Sequence, residues 1–207
     1  MNRRAMDPIR PIRTRVCAAL AAGALLLLAA CSGASSEPPP LEGAAIGGDF
    51  TLVDKTGKTV HAADFKGRYT ALYFGYSFCP DVCPLDVQML MQGYHKFAKA
   101  HPEQAAKVVP LFITIDPARD KPEVVGQFAA HFGKELIGLT GTDAQIAAVA
   151  KSYAVYYKKG EGTAPNAYLM DHSRAAYLMG PQGQPIALLP VDKDANAVAD
   201  EFAKWVH

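Results

Sequence analysis

Two long apolar runs stand out along the chain, Tyr69 to Tyr76 and Val108 to Ile115. Neither alternates with polar residues, so each is expected to form a strand buried on both faces, as in a parallel sheet. The first is followed by a different rhythm. From Leu85 to about His101, apolar residues fall at 87, 90, 91, 94, 97 and 98, the stripe of an amphipathic helix. The second run is stopped by Asp116-Pro117, and a helix is expected over Pro122 to Phe132, with Pro122 suited to its first turn. Asp143 to Lys151 is helical, capped by Thr142 or Asp143, and Asp194 to Val206 closes the chain as a helix.

Shorter apolar segments fill the gaps. Phe50 to Val53 and Thr59 to His61 flank the turn residues Asp54-Lys55-Thr56-Gly57 and read as a hairpin. Val155 to Lys158 and Ile186 to Leu189 are expected strands. Tyr168 to Met170 and Ala175 to Met179 are expected to pair with each other, with Asp171-His172-Ser173 between or within them. Strands alternating with helices give an α/β domain with a parallel sheet, and the late strand pair adds an antiparallel edge. That order suits a thioredoxin-like fold with an N-terminal β-hairpin and a helical insertion.

The N-terminal residues change the picture of where such a domain sits. Arg3, Arg4, Arg10, Arg13 and Arg15 precede an apolar, Ala/Leu-rich stretch from Val16 to Ala30. That stretch is short for a membrane span, which needs about 20 apolar residues, and reads as a secretory signal peptide over residues 1–30. Its end, Leu28-Ala29-Ala30-Cys31, resembles the bacterial lipobox. By that resemblance Cys31 becomes the first residue of the mature protein and carries its lipid anchor. Residues 31–45, with Ser35-Ser36-Glu37-Pro38-Pro39-Pro40, are the expected tether, and 46–207 the folded domain. Without residues 1–30 the chain has 16 basic and 19 acidic residues, net −3, and no basic run. Nucleic acid is an unlikely partner for such a surface.

Processing also simplifies the cysteines. Cys17 leaves with the leader and Cys31 is taken by lipid, which leaves Cys79 and Cys83 in an oxidising, extracytoplasmic compartment. They lie in Phe78-Cys79-Pro80-Asp81-Val82-Cys83-Pro84, at the junction between an expected strand and an expected helix. Pro84 suits the first helical position, which would make Cys83 the N-cap and put both sulfurs near the positive end of the helix dipole. A thiolate is favoured there, and the thiolate is both nucleophile and metal ligand. Three uses stay open on the residues alone. A structural disulfide over so few residues would contribute little loop entropy. A zinc site would be short of its usual four ligands. A soft-metal or thiol-exchange site fits the spacing. Among the histidines, His61, His95, His101, His131 and His207 fall in turns, on helix faces or at the chain end. His172 differs, because the segment around it is placed to pass the cysteine loop, with Asp171 expected either to accept from a ligand or to orient the loop electrostatically. Asp116, Arg119 and Asp120 are expected either to form a charged loop near the site or to cap and salt-bridge the helix that follows.

Several of these segments together are similar to the Sco/SenC family. They are Gly75-Tyr76-Ser77-Phe78-Cys79-Pro80-Asp81-Val82-Cys83-Pro84, Ile115-Asp116-Pro117-Ala118-Arg119-Asp120-Lys121-Pro122, Gly138-Leu139-Thr140-Gly141-Thr142, Val155-Tyr156-Tyr157-Lys158 and Asp171-His172-Ser173. The resemblance runs from about Phe50 to the end. It implies a membrane-tethered thioredoxin-like domain outside the cytoplasm that binds one copper, with Cys79, Cys83 and His172 as the metal ligands. It further implies delivery to the dinuclear copper site on subunit II of a cytochrome c oxidase. Leu85 stands where the family often has Thr, and family members are often anchored by a transmembrane helix rather than lipid. With the lipobox, the expected location is the bacterial cell envelope, facing the periplasm. Soft thiolates suit Cu(I), and imidazole suits both copper oxidation states. The alternative role is a thiol–disulfide oxidoreductase with Cys79 and Cys83 as its catalytic redox pair. A peroxidase is disfavoured, since Tyr76 occupies the position where peroxiredoxins usually place Thr.

Overall fold

A computed structural model describes residues 37–207 except 163 and 165. The expected leader, Cys31 and the first part of the expected tether lie outside the described residues. The chain divides after Glu37, and the unit from Pro38 to His207 is the one described.

The two apolar runs form the middle of a five-stranded sheet. β3 (Tyr69–Gly75) and β4 (Val108–Thr114) run parallel in full register, from Tyr69 opposite Val108 to Gly75 opposite Thr114. Every residue of β4 is buried, as expected for a strand covered on both faces. β5 (Ile137–Leu139) lies parallel on the outer side of β4. On the other side, β8 (Ala176–Met179) pairs antiparallel with β3, and β9 (Pro185–Leu188) with β8, giving the order β5-β4-β3-β8-β9. Alternation along β3 sorts its aromatics. Tyr73 stacks on Phe112, which meets Phe128 of α3 (Pro122–Ala130); Phe74 meets Tyr153, just beyond α4 (Asp143–Ser152). Burying a ring of this size contributes about 1.5–3 kcal/mol, so these two layers fix the strand's facing.

α1 (Val82–Ala100) follows β3, and α2 (Pro102–Ala105) is a single turn after it. α1 packs on the closing helix α5 (Ala195–Trp205), so closely that a Cβ at Gly93 would lie 2.5 Å from Val198 Cβ. α4 opens on a reciprocal cap in which Thr142 Oγ1 accepts from Gln145 N and the Gln145 side chain accepts from Thr142 N. β1 (Thr51–Val53) and β2 (Thr59–His61) form the expected N-terminal hairpin, tied beyond β5 by a reciprocal pair of backbone bonds between Val53 and Thr140. Residues ahead of β1 are already laid on the domain: Leu41 N donates to Ile186 O at 3.0 Å and Gly47 N to Ser152 O at 2.8 Å. Among the described residues no helix is long and apolar enough to cross a membrane.

Three expectations change. α1 begins at Val82, with Asp81 at the N-cap, so Cys83 lies in the first turn and Pro84 one residue further on. β5 is an additional strand, three residues long and centred on Gly138; a Cβ there would stand 2.5 Å from Val125 O, so the glycine is what lets α3 lie against it. The segment near 168–170 does not pair with 175–179. Instead β7 (Met170–His172) pairs with β6 (Tyr157–Lys159) in a separate two-stranded sheet, with His172 opposite Tyr157. The inner position beside β3 is taken by β8 alone.

Candidate metal centre

The cysteine loop leaves the end of β3 and is held from below. Ser77 N donates to Asp120 Oδ2 at 3.0 Å, Ser77 Oγ donates to Asp120 Oδ1, and Thr114 Oγ1 donates to Asp120 Oδ2 at 2.6 Å. Asp120 is fully buried, and that burial pushes its carboxyl above the ordinary value while the three donors oppose the shift. The carboxylate therefore joins the ends of β3 and β4 to the start of the loop. It does not cap α3, whose N-cap is Lys121.

Asp116 and Arg119 brace a different segment. Arg119 Nε lies 2.5 Å from Asp116 Oδ2, and Tyr168 Oη donates to Asp116 Oδ1 at 2.8 Å. Arg119 Nη1 donates to the carbonyls of Tyr168 at 2.8 Å and Asn166 at 3.2 Å. The guanidinium stacks over the Tyr168 ring, 3.7 Å from its centroid, with Phe78 at 4.9 Å. This cluster ties the approach to β7 onto the loop after β4 and the ring beside Cys79.

Between these braces three donor groups meet. The ligand atoms of Cys79, Cys83 and His172 all lie within 4.8 Å of one another. Cys83 is fully buried and Cys79 partly exposed. Cys83 N lies 3.5 Å from Cys79 Sγ, which accepts its hydrogen bond, and Cys83 Sγ is 3.1 Å from His172 Nε2. Room for the buried sulfur comes from Gly75: a Cβ there would sit 3.1 Å from Cys83 Sγ and 2.8 Å from Tyr73 Cε1. The His172 ring stands edge-on to Tyr73 and Tyr76. Its Nδ1 is 2.9 Å from the Ser173 carbonyl. A carbonyl only accepts, so Nδ1 carries the proton and Nε2 turns a lone pair toward Cys83.

Protonation follows from burial. Burial pushes the Cys83 thiol up and the His172 imidazolium down, and pushes the Tyr76 phenol up to about 12. Both inner groups are thus neutral near pH 7, with the thiol donating to the imidazole. The expectation that the helix start favours a Cys83 thiolate is overridden by desolvation of that sulfur. A cation that takes both groups must displace the thiol proton. Two sulfurs and one imidazole nitrogen are a soft set, suited to copper and too few for a closed structural zinc cage.

Sequence reasoning named the three groups that meet here and missed what holds them. Asp171, expected as a ligand's acceptor or to orient the loop, is exposed, and Ser173's backbone accepts from the ring. Asp81 is exposed and makes no side-chain cap bond. The other five histidines are exposed. Asp86 and Arg174 surround the site without having drawn notice, and Tyr73, Gly75 and Tyr168 had been noted only as parts of a strand or a motif. For Asp86 a signal existed: it is an acidic residue three positions after Cys83, on the stripe that continues through Leu90.

A parallel β3–β4 pair flanked by antiparallel β8 and β9, with a cysteine pair where β3 gives way to α1, defines a thioredoxin-like protein with a thiol- and imidazole-lined site. The SCO1/SenC family model matches residues 38–207, and the chain belongs to that family. Among curated relatives, the mitochondrial SCO2 homolog of Bos taurus is 43% identical over 144 residues, 69% of this chain and 53% of that protein. The chain thus spans about half the length of such relatives. Among solved structures, Arabidopsis thaliana ScoI with copper bound is 36% identical, with a TM-score of 0.70 over 77% of this chain and 97% of that one. BsSco, a member of the Sco family of cytochrome c oxidase assembly proteins in which a disulfide switch was identified, is 26% identical with a TM-score of 0.59, covering 75% of this chain and 90% of that one.

Proposed function

We propose that this protein is a copper chaperone that holds one copper ion through Cys79, Cys83 and His172 and passes it to the dinuclear copper site on subunit II of a cytochrome c oxidase. The observation that carries the reading is the meeting of those three donor atoms within 4.8 Å, from two separate parts of the fold. Copper is cargo here. Two thiolates and a neutral imidazole give a site of net charge −1 with Cu(I) and zero with Cu(II), so neither form meets a large charge penalty. Three ligands leave a side open for a receiving ligand, and Cys79 is the sulfur nearest solvent. The solved copper-bound ScoI, which shares this fold and 36% of its sequence, supports the choice of metal.

The same proposal gives residues 1–30 to a signal peptide, Cys31 to a lipid anchor and the start of the 31–45 stretch to a tether, whose expected last part from Leu41 is instead laid on the domain, with the domain facing the periplasm of a bacterial envelope. Several acyl chains, at about 0.8 kcal/mol per buried methylene, would hold it at a membrane. Mass spectrometry of the mature N-terminus tests this, and an unmodified Cys31 inside an intact leader would reject it.

For the metal, the test is copper stoichiometry and visible absorption of the reduced 38–207 domain beside Cys79→Ala, Cys83→Ala and His172→Ala. One copper per chain is expected, lost or spectrally altered in each variant. A His172→Ala protein that holds Cu(II) as tightly, with the wild-type spectrum, would show the ligand set to be wrong.

A second reading has its own observation. One accessible and one buried sulfur is the arrangement of an attacking and a resolving thiol. In that role the pair would reduce the acceptor's copper-ligand cysteines, with Cys79 entering the mixed disulfide. Exchange with an oxidised acceptor domain that survives in His172→Ala would favour it. Copper transfer without any exchange would reject it.

A further inference from the structure

Asp86 lies on α1, three residues after Cys83, and is 1% exposed. A carboxylate in such a place must be satisfied from several sides. Tyr73 of β3 donates its hydroxyl to Oδ2 at 2.9 Å. Arg174, in the loop between β7 and β8, closes a fork on it: Nε donates to Oδ2 at 3.0 Å and Nη2 to Oδ1 at 2.6 Å. The three groups come from the three pieces of chain that make the site. β3 supplies the Tyr73 ring against which His172 stands edge-on, α1 carries Cys83, and Arg174 lies two residues after His172. One carboxylate therefore fastens the histidine's segment to the cysteine's helix across 88 residues of sequence.

We propose that Arg174 is a positioning residue for the metal centre: its fork on buried Asp86 holds the end of β7 down on α1 and so keeps His172 Nε2 within reach of Cys83. An ion pair exposed on both sides would not carry such a role, since most such pairs contribute little. This pair differs in two respects. The carboxylate is buried, and the contact is bidentate, which fixes direction as well as distance. The rest of the hairpin is weakly tied. β7 makes its backbone ladder with β6 alone, and both strands are three residues long. Release of the fork leaves the Met170–Ser173 segment held by its short ladder with β6, by the bonds between Ser173 and Tyr156 and from the Tyr168 side, with its ion pair to α1 gone, so the imidazole swings while the two sulfurs stay.

The inference rests on the metal-site reading, so its test has one arm that needs no metal. In the reduced, metal-free 38–207 domain, amide exchange is followed for the wild type, Arg174→Gln, Arg174→Lys and the double variant Asp86→Asn with Arg174→Gln. The double variant guards against misfolding, because it removes the fork without leaving a lone buried charge. Protection at residues 170–173 is expected to fall at least about tenfold in Arg174→Gln and in the double variant, with β3 and β4 unchanged. Arg174→Lys keeps the charge, loses the fork and restores part of the protection. In the metal arm, copper affinity is expected to fall about 10–100-fold, the effect of losing a group that orients a ligand. The Cu(II) spectrum is expected to move toward that of His172→Ala. Wild-type exchange at 170–173 in both forkless proteins, with only a lower unfolding midpoint, would overturn the inference. If the wild type binds no copper, the metal reading fails while the exchange arm still decides the clamp.

Discussion

The two halves of the site are built to different standards. The cysteine half stands on β3, seven residues long, bonded to a strand on either side and almost wholly buried, and it continues into a 19-residue helix. Asp120 bolts its loop to β4. The histidine half is a two-stranded ribbon of three-residue strands outside the main sheet. A lone hairpin is at best marginally stable, and this one depends on side chains: Tyr168 and Arg119 at its approach, Arg174 at its exit. Segments of such different local stability open independently. The sulfurs are therefore fixed to the global fold, whereas the imidazole is fixed to a part that can lift away without unfolding the core. On the proposed chaperone reading that division has a use, since one ligand would leave without disturbing the others.

Substitutions should separate the halves. The largest effect is expected from Asp120→Ala, which strips three donors, one of them fully buried, of their acceptor at a cost of about 3 kcal/mol, read as a lower urea midpoint for the whole domain. Gly75→Ala should follow, at about 1–3 kcal/mol of overpacking. It should also displace the Cys83 sulfur, seen as faster alkylation of that thiol with no ligand mutated. Tyr168→Phe should cost about 1 kcal/mol, and its amide exchange should rise in β6 and β7 while β3 and β4 keep theirs. A uniform rise across the domain would erase the distinction drawn here. The smallest effect is a pH slope. The folded state resists protonating His172, so the unfolded chain binds more protons just below the ordinary value of 6.5. Stability of the metal-free protein should therefore be full above that pH and decline as pH falls through it. His172→Ala should flatten the decline, measured by urea midpoints from pH 7.5 down to 5.

The contrast also marks what the sequence could disclose. β3, β4 and α1 announced themselves because an unbroken apolar run or a long helical stripe is a repeated signal. The cysteine pair announced itself because its chemistry and spacing are local. β5 and the β6–β7 pairing did not, since three residues carry no measurable period and their partners are chosen by packing. His172 was reachable through the family resemblance, whereas its support was not. Asp86 meets Arg174 across 88 positions, and nothing local to either residue encodes that meeting. For Cys83 the thiolate expectation gives way to burial, because the dipole of a helix start can be read from sequence order, but the depth at which that sulfur sits cannot.

The carbonyl that holds the His172 ring belongs to the very next residue, Ser173. The ring's aim is thus written in the main chain, and removing any neighbouring side chain leaves that contact in place. A truncation scan across the ribbon would pass over it in silence. Twisting the ribbon would not: whatever presses on β6 and β7 turns the peptide after His172, and with it the nitrogen that faces the sulfur. The ribbon is in that sense a lever, and a docking protein could work it without ever touching the donor atoms.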